Sequence, residues 1–166
     1  LVHKVAGAAA AAGLPLDAVV EEARRVCAGL ATMGVGLGAC TVPAAGKPGF
    51  SIDDDELELG LGIHGEQGVR RLPLQPADVI VDTMLTTILE DLGLAVGDRV
   101  ALLVSGLGGT PPMELAIVSR RAMAVLRDRG IRIERAWCGN FMTALEMPGC
   151  SLTLLRVDDA MLARLD

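Results

Sequence analysis

Three aromatic residues, Phe50, Trp137 and Phe141, serve a chain of 166 residues of which 51% are hydrophobic. The core must therefore be built from Leu, Val, Ile, Ala and Met. Such side chains pack densely without large flat rings, which suits helices laid closely on a sheet. The length allows one domain with a substantial core and is too short for two.

The formal net charge is −6, and no stripe of Lys and Arg interrupts it. Phosphate backbones are bound by clustered basic residues and bases by stacked aromatics, so nucleic acid is excluded as a partner. No unbroken apolar run approaches the roughly 18 residues of a membrane span. The positive hydropathy belongs to a well-filled core, and no membrane partner is expected. Cys27, Cys40, Cys138 and Cys150 lie far apart with no Cys-x-x-Cys spacing, and are expected to be reduced, buried thiols of a cytoplasmic protein. With two histidines sixty residues apart, His3 and His64, no metal site is expected. Leu1 to Gly7 reads like the middle of a helix and carries no initiator Met, so the chain is expected to be a piece of something longer.

Helix formers from His3 to about Ala12 end at Gly13, with Pro15 beyond. A second helix is predicted from Asp17 to about Met33, with Ala18, Val19, Ala23, Val26, Cys27 and Leu30 on its apolar face. The period then changes to alternation over 35–42, predicting a strand, and Pro43 to Phe50 forms an ordered connection. Asp53, Asp54 and Asp55 cannot all face one point in an extended chain, so they read as a solvated acidic turn. Glu56 to Ile63 alternates as a strand. A helix over 77–92, with Val79, Ile80, Met84, Ile88 and Leu89 inward, precedes a buried strand over 100–104. Ser105 to Pro112 reads either as a plain tight turn or as a phosphate contact, with Thr110 capping a helix that runs to about Arg129. Strands over 131–137 and 151–157 and a short helix from Asp158 complete the chain. The expected fold is α/β with α+β character: a two-layer mixed sheet of about six strands, with helices packed on one face.

His64 stands at the end of the alternating segment, in Gly60-Leu61-Gly62-Ile63-His64-Gly65-Glu66-Gln67-Gly68. Glycine lets backbone and ligand approach closely, so an imidazole here is a candidate for direct chemistry. It reads equally as a histidine in a polar turn. Glu66, two residues on, can orient the other ring nitrogen or be a surface carboxylate.

Four stretches together resemble the substrate-binding unit of dihydroxyacetone (glycerone) kinases. They are Gly36-Leu37-Gly38-Ala39-Cys40-Thr41-Val42-Pro43-Ala44-Ala45-Gly46-Lys47-Pro48, Glu58 to Glu66, Leu107-Gly108-Gly109-Thr110-Pro111, and Leu145-Glu146-Met147-Pro148-Gly149-Cys150-Ser151-Leu152-Thr153-Leu154-Leu155. The resemblance spans the chain and implies a single domain over 1–166, the C-terminal half of that unit. It also implies that the family's histidine that bonds covalently to dihydroxyacetone falls on His64, as the catalytic and substrate-binding residue. The acid/base pair and most hydroxyl-binding groups would belong to an N-terminal domain absent here. The resemblance further implies glycerone kinase activity for the whole protein and little for the piece alone. No cofactor is expected on this domain, with ATP-Mg or phosphotransferase-linked ADP on a separate nucleotide-binding domain or subunit. A homodimer is expected. A dihydroxyacetone-binding regulatory protein is the alternative. The chain departs from the family at Gln67, where Pro or a small residue is usual, and at Ser105-Gly106, where paired asparagines are common.

Overall fold

In the computed structural model, which describes residues 1–63, 66 and 68–166, the chain runs through eleven elements. They are α1 (Val2–Ala11), α2 (Leu16–Ala28), β1 (Leu30–Gly36), β2 (Glu56–Leu59), β3 (Arg70–Pro73), α3 (Ala77–Leu92), β4 (Arg99–Gly106), α4 (Pro112–Asp128), β5 (Arg132–Gly139), β6 (Gly149–Arg156) and α5 (Asp159–Leu165). The strands form one sheet in the order β3-β2-β1-β6-β4-β5. Among the described strand pairs of this sheet only β4–β5 is parallel, and α4 supplies the crossover such a pair requires. This is the expected six-stranded mixed sheet with helices packed on it.

Alternation along the central strands divides the apolar residues between two faces. Val100, Leu102 and Val104 of β4, with Leu152 and Leu154 of β6, lie in a core with Met84, Leu85 and Ile88 of α3 and Leu115, Ala122 and Leu126 of α4. The intervening Ala101 and Leu155, paired across the β4–β6 ladder, belong to a second core with Val5 of α1, Val26 of α2 and Met161, Leu162 and Leu165 of α5. Helices therefore sit on both faces, whereas one covered face was expected. The terminal helices have their own apolar stripes and bury them on residues of this opposite pleat. Asp158 caps α5 as the chain's Asp-Asp pair suggested, accepting the Met161 N–H at 2.8 Å.

Several boundaries moved, each for a tertiary reason. The helix predicted to reach Met33 stops at Ala28, because the Gly29 carbonyl accepts the Arg156 N–H at 2.8 Å and the sheet takes the chain from Leu30 onward. The strand expected over 35–42 accordingly occupies Leu30–Gly36, with Ala31 and Val35 inward. Val79 is exposed, and Val81 and Leu85 take the inward positions on α3. Of the thiols expected to be buried, Cys150 is, and burial, with Cys138 nearby, pushes its pKa up to about 12. Cys27 and Cys138 are exposed, the first on the outer side of α2 and the second on the edge strand β5. All four are free thiols. Asp53, Asp54 and Asp55 are exposed in a turn, as read from the sequence.

Helices α3 and α4 are joined across their outer faces by ion pairs. Arg121 donates to both carboxylate oxygens of Asp82, at 2.8 and 2.7 Å, and Arg120 pairs with Asp78. The hydrogen bonds from Arg121 hold the Asp82 carboxyl below its usual range. A depressed folded pKa gives stability that is complete above the unfolded pKa of about 4 and is lost as pH falls through the lower folded value. Asp82→Asn is therefore expected to lower the urea midpoint at neutral pH, with the gap to the parent closing as pH falls below the ordinary carboxylate range. A gap that persisted in acid would show that the pair does not act through its charge.

Candidate functional site

The alternating pattern Leu57, Leu59, Leu61, Ile63 does not continue as one strand. Gly60 adopts φ +76°, a left-handed conformation that costs glycine nothing, and turns the chain off the sheet. Its N–H donates to the Gly34 carbonyl at 2.7 Å. Leu57 and Leu59 stay in the α3/α4 core, while Leu61 and Ile63 enter a separate cluster. Leu61 lies directly on Gly36 of β1, where a Cβ would overlap its Cδ2.

That cluster consists of buried Leu61, Leu107, Ala144 and Met147, with Cys40, Phe50 and Ile63 packed against it. It gathers the four motif stretches at one end of the sheet. Thr110 Oγ1 donates to the Gly149 carbonyl at 2.7 Å and accepts the Gly149 N–H at 2.8 Å, stapling the β4–α4 turn to the start of β6. Thr110 therefore does not cap α4; Pro111 holds the N-cap position with no side-chain bond. The Leu107 and Gly109 N–H groups donate to the carbonyls of Gly149 and Met147, at 3.1 and 2.9 Å. Two of the turn's amides are thus taken by the chain itself.

At the departures from the family pattern, Ser105 Oγ accepts the Phe141 and Met142 N–H groups at 3.2 and 3.4 Å, and the Asn140 carboxamide lies over Gly106. Across the cluster, the Thr41 N–H donates to Glu146 at 2.7 Å. Backbone N–H groups, that of Glu146 itself and then that of Thr41, hold the Glu146 carboxyl below its usual range.

His64, the site residue expected from the sequence, lies outside the described residues. Its described flanks are fixed on both sides. Before it, Ile63 is half-buried in the cluster, and the Gly62 N–H donates to the Glu66 carbonyl at 3.2 Å. Glu66 is exposed, with its carboxylate against the Cα of Gly62. After it, the Gly68 N–H donates to Glu58 Oε1 at 2.6 Å and the Val69 N–H to the Leu59 carbonyl at 2.7 Å.

Strand β3, which receives the chain after this excursion, was missed from sequence: Arg70-Arg71-Leu72-Pro73 is short, charged and ended by proline, as befits an edge. The roles of Glu58 and Thr110 were missed as well. A glutamate between two leucines, followed by Gly60, was the available signal for the first. Among the described residues no three His, Cys, Asp or Glu side chains converge on a point that could hold a metal ion. An apolar cleft of about 240 Å³ between the first turns of α3 and α4, lined by Val35, Leu37, Ile80 and Val118 among others, contains none of the described residues of the 60–68 segment.

The candidate site is thus a glycine-bounded segment whose described flanks are bonded to the sheet beside a small separate cluster. The chain belongs to the Dak1 domain family, whose model matches residues 1–166. It is 46% identical over 171 residues to the human protein named triokinase/FMN cyclase, covering all of this chain and 30% of that one. It is 41% identical over 166 residues to the dihydroxyacetone-binding subunit DhaK of a PTS-dependent dihydroxyacetone kinase from Listeria innocua, covering all of this chain and 50% of that one. The chain thus spans half or less of the length of these relatives. The solved structure of a dihydroxyacetone kinase operon co-activator superposes with a TM-score of 0.93 at 31% identity, over 99% of this chain and 51% of that one.

Because Leu61 rests on Gly36, Gly36→Ala is expected to displace it. The overpacked contact should cost about 1–3 kcal/mol in urea unfolding, and should speed backbone hydrogen exchange across 60–69 more than in α3 or α4. Unchanged exchange there would mean that the segment does not depend on this contact.

Proposed function

We propose that this chain is the substrate-anchoring domain of a dihydroxyacetone kinase, holding the ketone as a covalent hemiaminal on His64. The observation that supports it most is the pinning of both flanks of His64, by Leu61 on Gly36 and by Glu58 on Gly68. A nucleophile that must meet a small ketone in one orientation needs a fixed backbone beneath it.

In this reading the unprotonated nitrogen of neutral imidazole adds to the C2 carbonyl of dihydroxyacetone. A C–N bond forms, the carbonyl π pair moves to oxygen, and that oxygen takes up a proton as the ring loses its N–H proton. Nothing leaves, so the product is a simple adduct. Glycerol, with no carbonyl, cannot form it, and selection rests on bond formation where hydrogen bonds to a three-carbon molecule would discriminate weakly. The anchored substrate presents a terminal hydroxyl for phosphoryl transfer, in which positioning and electrostatics supply most of the catalysis.

The acid/base groups and the phosphoryl donor belong outside residues 1–166 in this reading. They would lie on an N-terminal domain and on a nucleotide-binding domain or subunit carrying ATP-Mg or phosphotransferase-linked ADP. A cytoplasmic homodimer is part of the same proposal. Among the described residues no helix is long and apolar enough to cross a membrane.

A second reading, a dihydroxyacetone-responsive regulator without turnover, is favoured by one observation, the superposition on the co-activator structure with a TM-score of 0.93. The capture step separates both readings from an inert assembly domain. Intact-mass analysis of the complete gene product with dihydroxyacetone is expected to show a gain of one whole ketone, lost in His64→Ala. An adduct that survives without His64 would overturn the assignment. Turnover on adding a phosphoryl-donor subunit then selects the kinase over the regulator, and residues 1–166 alone are expected to give little or none.

A further inference from the structure

Glu58 is a carboxylate where the fold has no structural need of one. It sits in β2 between Leu57 and Leu59, is 4% exposed, and points to the face opposite the α3/α4 core. Its register partners are Gly36 on β1 and Arg71 on β3. Burying a carboxylate is costly unless every charge and lone pair finds a partner, and an apolar side chain of similar size would serve stability as well or better. The partners it does find define its task. Oε1 accepts the Gly68 N–H at 2.6 Å, and Oε2 accepts from Arg71 Nε at 3.2 Å.

We propose that Glu58 is the positioning residue for His64, closing the backbone excursion that carries it by binding the Gly68 N–H, with Arg71 fixing the rotamer of the carboxylate. The ladder bond from Val69 to Leu59 alone would leave Gly68 free to swing. The Glu58 bond carries closure one residue further toward His64. It does so beside Gly36, the residue on which Leu61 rests, so both limbs of the excursion are fixed over adjoining parts of the sheet. Gly68 has no room for a side chain, since a Cβ there would overlap the Leu59 carbonyl and lie 2.6 Å from Glu58 Cγ. Arg71, also within 4.0 Å of Glu56, offers its guanidinium edge as the countercharge.

This inference rests on the reading of His64 as the ketone anchor. Its test compares Glu58→Ala, Glu58→Gln and the parent in the complete gene product, measuring adduct formation against dihydroxyacetone concentration and hydrogen exchange of the 60–69 peptide. Leu162→Ala, in the terminal-helix cluster, serves as a control of lowered stability remote from the site. Glu58→Ala is expected to weaken adduct formation by about ten- to a hundredfold, the range for losing a charge-assisted hydrogen bond, and to speed exchange at 60–69. Glu58→Gln keeps an acceptor oxygen for Gly68 and is expected to recover most of both. Leu162→Ala is expected to lower the melting temperature with adduct formation unchanged.

Glu58→Ala forming the adduct within twofold of the parent would overturn the inference, as would Leu162→Ala weakening it equally. Should Glu58→Ala fail to fold, Arg71→Met, which leaves the Gly68 bond but frees the carboxylate rotamer, is expected to weaken the adduct to an intermediate degree, and parental behaviour there would count against the role. A parent that forms no adduct would instead fail the reading of His64, while faster exchange at 60–69 in Glu58→Ala would still report closure.

Discussion

The contact of Leu61 with Gly36 is the interaction on which the working end of this molecule depends. A strand that offers no side chain at this position lets a hydrophobic residue from a neighbouring loop lie flat on its backbone. That contact recruits Ile63, Leu107, Ala144 and Met147 into a cluster separate from the main core. The main core stabilises the sheet. The small cluster holds Leu61 and Ile63, the residues that lead into His64.

This division explains the distribution of glycine and small polar residues. On the face opposite α3 and α4, the rows across β1, β6, β4 and β5 grade from Leu30, Leu155 and Ala101 to Thr32, Thr153, Leu103 and Trp137, then to Gly34, Ser151, Ser105 and Gly139. The first end receives the terminal helices. The middle is joined by a hydroxyl pair, Thr32 and Thr153, at 2.8 Å. The last end is nearly bare backbone, and it is there that Gly60 bonds to Gly34 and Ser105 receives the 141–142 backbone. One sheet thus serves as a hydrophobic wall at one end and a docking floor for loops at the other.

Much of this was legible in the residues. Periodicity placed α3 within its observed bounds, found β4, α4, β5 and β6 to within a few residues, and the scarcity of aromatics pointed to an aliphatic helix-on-sheet core. The errors came where tertiary contacts outweigh local pattern. Leu30, Ala31 and Met33 are good helix formers, but the sheet claims Leu30 onward through Gly29 and Arg156. Leu57 to Ile63 has a perfect period of two, but Gly60 sends its halves into different cores. Thr110 looked like a cap because Pro follows it, yet its hydroxyl has a better partner in Gly149, whose place beside it no local pattern reveals. The motif around His64 marked a candidate segment by its glycines alone. The partners that pin its flanks, from Gly34 and Gly36 to Glu58, come from strands whose register the sequence does not state.

The central proposal is that His64, carried between bonded flanks, captures a ketone by forming a bond to its carbonyl carbon. Carbon-13 NMR of the complete gene product with dihydroxyacetone labelled at C2 tests this most directly. The account predicts that the bound carbon leaves the ketone region for that of a tetrahedral carbon bearing oxygen and nitrogen, with coupling to labelled imidazole nitrogen. A bound ligand that kept its ketone shift would contradict it.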